Sequence, residues 1–431
     1  MLKSGPTAGV IAGVAASIAL FAPCAAFADE AGFSFPPEWA PHEAVWMGWP
    51  DEVAERGDFK ALWAEIITAL TPHVRVKLVV NTEAAAAAAR RELALLGVDV
   101  GRIEFIVQPT SDIWLRDSGP LFISDGQELR IADFEWGYYG FPWPYGGPAG
   151  LARGALDREA ATGMGLERRR SELIAEGGGL DVNSNVMVAY LDAAQHRNPG
   201  ATVEEIEAEY LRLYGKKKIV WLDRAPISDR VFAGPKVANF FGWGANGHVD
   251  EYVRFVDEKT ILVAQVAADE RDANALYRLD DEILRENRAQ LEAARDIDGA
   301  PFRVVPVPMP DIRALMGQRT LTEKDFQRSA DGMDTRSVFR DFKVGDEIVW
   351  VPAASYLNFL VTNGVVLVAK YWREGLPQTL KETDEEMRSV LAAQYPDREV
   401  VQINPLAVNW LGGGMHCITQ QEPRLAAPSA P

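Results

Sequence analysis

The residues with the clearest chemical potential lie near the end of the chain, in the segment GGGMHCITQQ that runs from Gly412 to Gln421. Here His416 directly precedes Cys417, one of two cysteines in the sequence. Neighbours on a strand point to opposite faces, so His416 is poorly placed to activate the thiol. If Cys417 is a nucleophile rather than a small buried hydrophobe, its histidine must come from elsewhere.

The best candidate is His248 in NGHVDE, because Asp250 follows it two positions later. The segment VDEYVRFV is typical of a strand, and a period of two would project both side chains to one face. The other histidines, His42, His73 and His196, are not grouped with acids. An isolated His-x-Asp is more often a solvated surface feature. The unpaired cysteine and the preceding Asn-Gly turn favour the functional interpretation.

Two further acids stand beside turn-forming residues. Asp117 lies in SDIWLRDSGP and Glu176 lies in AEGGGLD. Most turn aspartates cap their own turn, and a glutamate before glycines is commonly solvated. Each acid alone is therefore weak evidence for a site.

A guanidinium group would suit these residues jointly. It is planar and permanently charged, and carboxylates match its N–H donors in pairs. Asp117 and Asp250, each bidentate, would fix its plane and expose its central carbon to Cys417. His248 would supply and accept protons, and Glu176 would orient His248.

Metal and nucleotide sites fit the sequence less well. It contains no HExxH motif, no paired Cys motif and no second histidine near His248, and further ligands for a manganese site are not evident. The run Gly177 to Gly179 lacks the Lys and Ser/Thr of a phosphate-binding loop. We therefore predict no metal and no cofactor.

The first 28 residues have the pattern of a secretory signal peptide. A single charge at Lys3 precedes a long uncharged run that ends in Ala26-Phe27-Ala28. A retained membrane anchor is the alternative, which the cleavage pattern disfavours. Cleavage would also remove Cys24, leaving Cys417 as a free thiol in an exported, periplasmic or extracellular protein without a membrane segment.

The chain carries 62 acidic and 44 basic residues, for a net charge of −18. This balance argues against nucleic acid as a partner and is compatible with a cationic substrate. Oligomerisation is left open. No linker-like segment interrupts residues 29–425, which we predict to form one domain, followed by a disordered tail at 426–431.

The elements that must position these residues follow one order, an amphipathic helix and then an apolar strand, which indicates an α/β fold. Thr202 and Glu205 have the spacing of a capping box at the start of one such helix. The predicted helix and strand pairs are 59–70 with 74–80, 83–96 with 103–107, 203–214 with 218–222, 281–295 with 302–307, and 384–394 with 399–403.

The motifs WLRDSGP, EGG, NGHVDE and GGGMHCITQQEP, in this order, resemble the agmatine deiminase and bacterial-type peptidylarginine deiminase family. The resemblance covers nearly all of the chain after the signal segment. It implies the pentein fold, an α/β propeller of five ββαβ units around a pseudo-fivefold axis. It also implies Cys417 as nucleophile, His248 as acid and base, Asp117 and Asp250 as guanidinium ligands, and Glu176 as the acid of the EGG motif.

The reaction implied by the resemblance is hydrolysis of agmatine to N-carbamoylputrescine and ammonia, a step of putrescine biosynthesis, through a covalent thiouronium intermediate. An exported deiminase of peptidyl arginine is the alternative. An amidinotransferase, an inactive guanidinium-binding protein and a cysteine protease are weaker ones. Two segments depart from the pattern of agmatine deiminases: 134–147 (FEWGYYGFPWPYGG), and Asp250-Glu251, where Asp-Asn is common.

Overall fold

The computed structural model describes residues 32–109, 111–140, 152–230, 236–327 and 338–426. The predicted signal peptide, the end of the tail and segment 141–151 lie outside these residues. The strands, in chain order, are β1 His42–Gly48, β2 Arg75–Val80, β3 Ile103–Val107, β4 Leu121–Ser124, β5 Leu129–Glu135, β6 Glu167–Ile174, β7 Leu180–Val182, β8 Val186–Tyr190, β9 Lys218–Leu222, β10 Phe240–Phe241, β11 Val253–Phe255, β12 Thr260–Gln265, β13 Arg303–Pro308, β14 Gly317–Thr320, β15 Glu347–Trp350, β16 Leu360–Thr362, β17 Val365–Ala369, β18 Glu399–Ile403 and β19 Thr419–Pro423.

The α-helices include every one that the sequence pattern predicts. In chain order they are α1 Asp51–Glu55, α2 Gly57–Leu70, α3 Glu83–Leu95, α4 Leu115–Ser118, α5 Leu156–Met164, α6 Leu191–Arg197, α7 Val203–Tyr214, α8 Ala275–Ala293, α9 Gln378–Gln394 and α10 Leu406–Asn409. Helices α8 and α9 start six residues earlier than predicted. The start of α8 is fixed by Asn274, whose side chain accepts a hydrogen bond from the Tyr277 amide.

Helix α7 shows how local sequence sets these elements. The predicted capping box is present, because Thr202 accepts from the Glu205 amide and the Glu205 side chain accepts from the Thr202 amide. Gly215 ends the helix at φ +61°, a left-handed conformation that favours glycine. The buried face of α7, which includes Ile206 and Leu213, then packs against the sheet that β9 completes.

Five of the sheets share one order of strands. In each, the first two strands pair antiparallel, and a helix returns the chain to a third strand that is parallel to the second. Four units run in sequence: β4-β5-α5-β6, β7-β8-α7-β9, β11-β12-α8-β13 and β16-β17-α9-β18. The fifth joins the two ends of the described chain, because β19 pairs antiparallel with β1 while β2 and β3 extend the sheet beyond it.

The sheet β10-β15-β14 stands outside this pattern. It has a small core of its own, formed by Phe241, Leu321, Val338, Phe339 and Ile348. The segment that follows β10 carries Trp243 toward the mouth of the site described below.

The turns before the first strands of the five units carry the candidate site residues. A residue that reaches the site precedes each of these strands by a few positions: Asp117 before β4, Glu176 before β7, His248 and Asp250 before β11, Asn358 before β16 and Cys417 before β19. The site is therefore assembled from the same position of five similar units.

None of the helices within the described residues is both long enough and apolar enough to cross a membrane.

Candidate active site

Cys417 lies in a turn just before β19, with its side chain buried. Its Sγ is 3.1 Å from Asn358 Nδ2, 3.6 Å from Asp250 Oδ2 and 3.7 Å from Glu251 Oε1. Burial, reinforced by the Asp250 and Glu251 carboxyls, raises the pKa of the Cys417 thiol well above its usual value. Without a bound cation, the sulfur is therefore a neutral thiol.

The thiol has space beside it because position 413 is a glycine. A Cβ on Gly413 would lie 3.0 Å from Cys417 Sγ and 2.7 Å from the Trp114 ring. Glycine at position 413 thus provides clearance for the cysteine side chain.

His248 is fully buried and faces two carboxylates. Its Nδ1 lies 3.6 Å from Asp117 Oδ1 and its Nε2 lies 3.8 Å from Glu176 Oε2, and neither nitrogen has a hydrogen-bond partner. Burial disfavours the imidazolium, but Asp117, Glu176 and Asp250 outweigh it and raise the pKa of His248 to about 9. His248 is therefore a charged proton donor at neutral pH.

The backbone at His248 differs from the predicted strand. Val249–Glu251 forms a 3-10 turn, and the strand begins only at Val253. The prediction that a period of two places His248 and Asp250 on one strand face is therefore wrong. The turn nevertheless directs both side chains into the same site.

Asp229, which the sequence analysis missed, holds this turn in place. Its carboxylate accepts hydrogen bonds from the amides of Ala245, Gly247 and His248 at 2.6–2.8 Å. These amides belong to the Asn-Gly turn that the sequence marks out, and Asn246 has φ +61°. The strained turn persists because a buried carboxylate satisfies its donors.

Glu176 is fixed by a buried arginine. Arg197 Nε lies 3.1 and 3.2 Å from the two carboxylate oxygens, and its other nitrogens donate to the carbonyls of Asn246 and Ala245. Burial opposes ionisation of Glu176, but Arg197 and His248 lower its pKa to about 2. The sequence analysis did not select Arg197.

Asp117 sits at the end of α4, where Gly178 approaches it closely. Its Oδ1 accepts from the Gly178 amide at 3.1 Å, and its Oδ2 accepts from the Tyr139 hydroxyl at 3.0 Å. A Cβ on Gly178 would lie 2.5 Å from His248 Nδ1, so only glycine fits here. Burial, together with Asp250 and Glu176 and despite His248, raises the pKa of Asp117 to about 7.

Asp250 offers one oxygen to a ligand. Its Oδ2 accepts from His416 Nδ1 at 2.6 Å and from Asn358 Nδ2 at 3.2 Å, while its buried Oδ1 has no hydrogen-bond partner. Burial disfavours the charge, but the hydrogen bond from His416 helps to lower the pKa of Asp250. The Asp250 carboxylate is therefore already oriented and offers a guanidinium only Oδ1, rather than the two oxygens of the bidentate contact that we expected.

His416 is part of the site, although the sequence analysis set it aside. Its ring does not contact the thiol, but it bridges Asp250 through Nδ1 and Glu38 through Nε2. Each of these two hydrogen bonds needs a proton between nitrogen and oxygen, so Asp250, His416 and Glu38 share two protons. His416 thus positions Asp250 from behind the nucleophile.

Glu38 connects this chain to a buried layer of ion pairs. Arg254 Nη2 lies 2.5 Å from Glu38 Oε2, and Arg116 Nη1 lies 3.4 Å from Glu38 Oε1. Arg254 also pairs with Asp181 at 3.1 Å and donates to the carbonyls on either side of Asn358. Buried ion pairs contribute little net stability, so we interpret this layer chiefly as a device that fixes the site residues.

A cavity of about 340 Å³ leads toward this site. Tyr139, which bonds to Asp117, and Trp114, which lies beside Gly413, form part of its wall, and Trp243 completes the aromatic lining. Glu52 and Glu55 line the same cavity, together with Arg56 and Arg153. Residues 141–147, the second half of the departure at 134–147, lie outside the described residues, so the role of that half stays open.

Within the described part of the chain, one group of donor atoms lies close enough together to share a metal ion: Asp250, Glu251 and Cys417, within 4.8 Å of one another. These atoms belong to the nucleophile and its neighbours. The cluster is therefore part of the site already described.

The five predicted residues Asp117, Glu176, His248, Asp250 and Cys417 thus lie in one buried site. A thiol and an imidazolium stand among carboxylates, on an α/β scaffold of ββαβ units. This combination is that of a cysteine-dependent enzyme whose substrate carries a planar cation.

The chain belongs to the Porphyromonas-type peptidyl-arginine deiminase family, whose sequence model matches residues 34–423. It is 28% identical to the agmatine deiminase of Ectopseudomonas mendocina, covering 91% of this chain and 96% of that protein. It is 25% identical to the agmatine deiminase of Medicago truncatula, covering 91% and 97%. The fold matches the structure of Enterococcus faecalis agmatine deiminase with a TM-score of 0.70 at 22% identity, covering 92% and 97% of the two chains.

Proposed function

We propose that the protein is a hydrolytic deiminase of a guanidinium group, with agmatine as the leading substrate. The observation that carries this proposal is the placement of Asp117 and the free Oδ1 of Asp250 beside the Cys417 thiol, with an imidazolium at hand. The relatives named as agmatine deiminases support the choice of agmatine.

In the first half of the reaction, Cys417 Sγ attacks the central guanidinium carbon after losing its proton. His248, as imidazolium, donates a proton to the nitrogen that departs as ammonia. The C–N bond breaks, the C–S bond remains, and the substrate is held as a thiouronium cation between Asp117 and Asp250.

In the second half, the now neutral His248 accepts a proton from a water molecule that attacks the same carbon. Glu176, clamped by Arg197, stabilises the imidazolium that forms again. The C–S bond then breaks, the remaining hydroxyl proton passes to solvent, and the product carries a ureido group in place of the guanidinium.

The five units of equal strand order support the proposal that the sheets close into an α/β propeller of the pentein type. Site residues from the turns of all five units meet in one place, as they would around a pseudo-fivefold axis. An experimental structure with five sheets arranged around the Cys417 thiol would establish the closure, and an open arrangement would exclude it.

The cavity bears on the tail of the substrate. Aromatic walls formed by Trp114, Tyr139 and Trp243 suit an alkyl chain, and the carboxylates of Glu52 and Glu55 suit the amine of agmatine. Glu52 is also 3.2 Å from Arg153, a cation that would suit the carbonyls or carboxylate of a peptide. Peptidyl arginine therefore remains the second candidate.

A parallel assay with agmatine, free arginine and an arginine-containing peptide tests the proposal. Ammonia and a ureido product should form fastest from agmatine, and Cys417→Ala should abolish turnover. Faster turnover of the peptide would assign the second candidate. Product that requires an added amine acceptor would indicate an amidinotransferase, and binding without turnover would indicate an inactive binding protein.

We also propose that the protein is exported and that the segment through Ala28 is removed. The uncharged run and the Ala26-Phe27-Ala28 ending support this proposal. Intact mass and N-terminal sequencing of protein from the periplasm and the medium should show Asp29 as the first residue. Retention of the intact chain in the cytoplasm would refute export.

A further inference from the structure

Glu251 is a buried carboxyl that touches the nucleophile but has no part in the reaction described above. Its side chain is 2% exposed, and its Oε1 lies 3.7 Å from Cys417 Sγ. Its backbone carbonyl accepts a hydrogen bond from Ser355 Oγ at 2.5 Å, which holds the 3-10 turn in place. The hydrogen bond from Ser355 to the Glu251 backbone thus keeps the Glu251 side chain beside the sulfur.

The other groups near the thiol are engaged elsewhere. Asp250 lies at 3.6 Å from Sγ, but its nearer oxygen already accepts from His416 and Asn358. His248 faces Asp117 and Glu176 and is already protonated at neutral pH. Glu251 is therefore the neighbour best placed to exchange a proton with the sulfur.

We propose that Glu251 carries the proton of the nucleophile, so that the site uses separate proton carriers for sulfur and for nitrogen. With the guanidinium bound, the S–H bond of Cys417 breaks, its electron pair forms the C–S bond, and the proton moves to the Glu251 carboxylate. When the C–S bond breaks after water attack, the carboxylic acid returns that proton to sulfur. This inference rests on the proposed deiminase function.

The charges around Glu251 explain why the proton would pass from Cys417 to Glu251 only after the substrate binds. The pKa of Glu251 is influenced by the carboxyls of Asp250, Asp229 and Asp117 and by the Cys417 thiol. The charge of Glu251 in turn helps to raise the pKa of the Tyr252 and Tyr371 hydroxyls. Burial, Asp250 and Asp229 raise the pKa of Glu251 well above its usual value. The resting pair of Glu251 and Cys417 therefore holds two protons, and an arriving guanidinium favours release of one to solvent.

The first test is turnover by Glu251→Gln, which keeps the shape but cannot accept the proton. We expect kcat to fall by about 10²-fold or more while KM changes little, because Glu251 does not bind the guanidinium. Glu251→Asp keeps a displaced carboxyl and should be intermediate. Glu347→Gln, at an exposed position on β15, is the matched control and should behave as the unaltered enzyme. Unchanged kcat in Glu251→Gln would overturn the proposal.

The second test is the pH dependence of Cys417 alkylation by iodoacetamide without substrate. As the pH rises without substrate, Glu251 should ionise before the thiol, and its negative charge then opposes ionisation of Cys417. Gln never acquires that charge, so the alkylation profile of the variant should shift to lower pH by about one unit or more even as turnover falls. Loss of turnover with an unshifted profile, in a folded Glu251→Gln protein or, failing that, in Glu251→Asp, would assign Glu251 a merely structural role. Because this measurement needs no turnover, it separates failure of this inference from failure of the proposed function.

Discussion

The turns around His248 and His416 place two buried histidines among carboxyls, yet the two rings are held in opposite ways. Both nitrogens of His416 form hydrogen bonds, to Asp250 and Glu38. Both nitrogens of His248 lie 3.6–3.8 Å from carboxylates and form none. Burial and the nearby arginines lower the pKa of His416, whereas the surrounding carboxylates raise that of His248 to about 9.

This difference separates a positioning residue from a reacting one. A ring with both nitrogens bonded is fixed and can orient its neighbour. A buried ring whose nitrogens have no hydrogen-bond partner can still form hydrogen bonds with the substrate and with water. The comparison predicts that the two histidines contribute oppositely to stability and to activity.

The largest effect should come from His248→Gln. The variant keeps a polar side chain but cannot donate or accept the proton at the departing nitrogen, so kcat with agmatine should fall by about 10²- to 10⁴-fold. Since His248 forms no hydrogen bond in the resting site, thermal unfolding measured above pH 9, where the ring is uncharged, should change little. A variant that kept a tenth of the original kcat would contradict the assignment of His248 as the acid.

A smaller loss of activity and a larger loss of stability should follow from His416→Gln. The shorter amide cannot bridge Asp250 and Glu38, and a buried group left unpaired costs about 1–3 kcal/mol of unfolding free energy. We expect kcat/KM to fall by roughly tenfold, an effect of about 1.4 kcal/mol, as Asp250 loses its orientation. Chemical denaturation and steady-state kinetics measure the two effects. A kcat loss equal to that of His248→Gln would contradict the assignment of His416 as a positioning residue.

The smallest effect is the pH dependence of the unaltered enzyme. Below about 7, protonation of Asp117 removes a negative charge from the guanidinium site, so kcat/KM should fall with decreasing pH. Above about 9, loss of the His248 proton removes the acid for ammonia, so kcat/KM should fall again. On either side of a maximum near pH 8, kcat/KM should therefore fall by about tenfold per pH unit. A flat profile from pH 6 to 10 would show that neither group titrates in the rate-determining step.

The sequence was sufficient to select the five residues that meet in the buried site, because their types are unusual in their surroundings. A lone cysteine, a His-x-Asp and acids beside glycines stand out without a structure. The supporting residues do not. Asn358 lies in a segment that reads as a strand, Arg197 ends a short helix, and Glu38 precedes the first strand, so their roles arise only from pairing across long sequence separations.

Local structure was predictable where hydrophobic period and caps agree, as in α7 with its capping box. The strand predicted across His248 and Asp250 failed because Asp229, 19 residues before His248, binds the amides of Gly247 and His248. These hydrogen bonds hold the Asn-Gly turn that leads directly into the 3-10 segment Val249–Glu251. The five ββαβ units were expected from the family resemblance and not from hydrophobic periodicity, since one unit is completed by strands from both ends of the described chain.

The pairing of β19 with β1 has a consequence for the timing of assembly. Cys417 stands next to the strand that completes the first sheet, near the end of the 431-residue chain. A chain interrupted before residue 416 would lack the nucleophile, His416 and the partner strand of β1 at once. The site therefore cannot form until the chain through β19 has been made, so chains that stop before Cys417 lack the nucleophile needed to act on guanidino compounds.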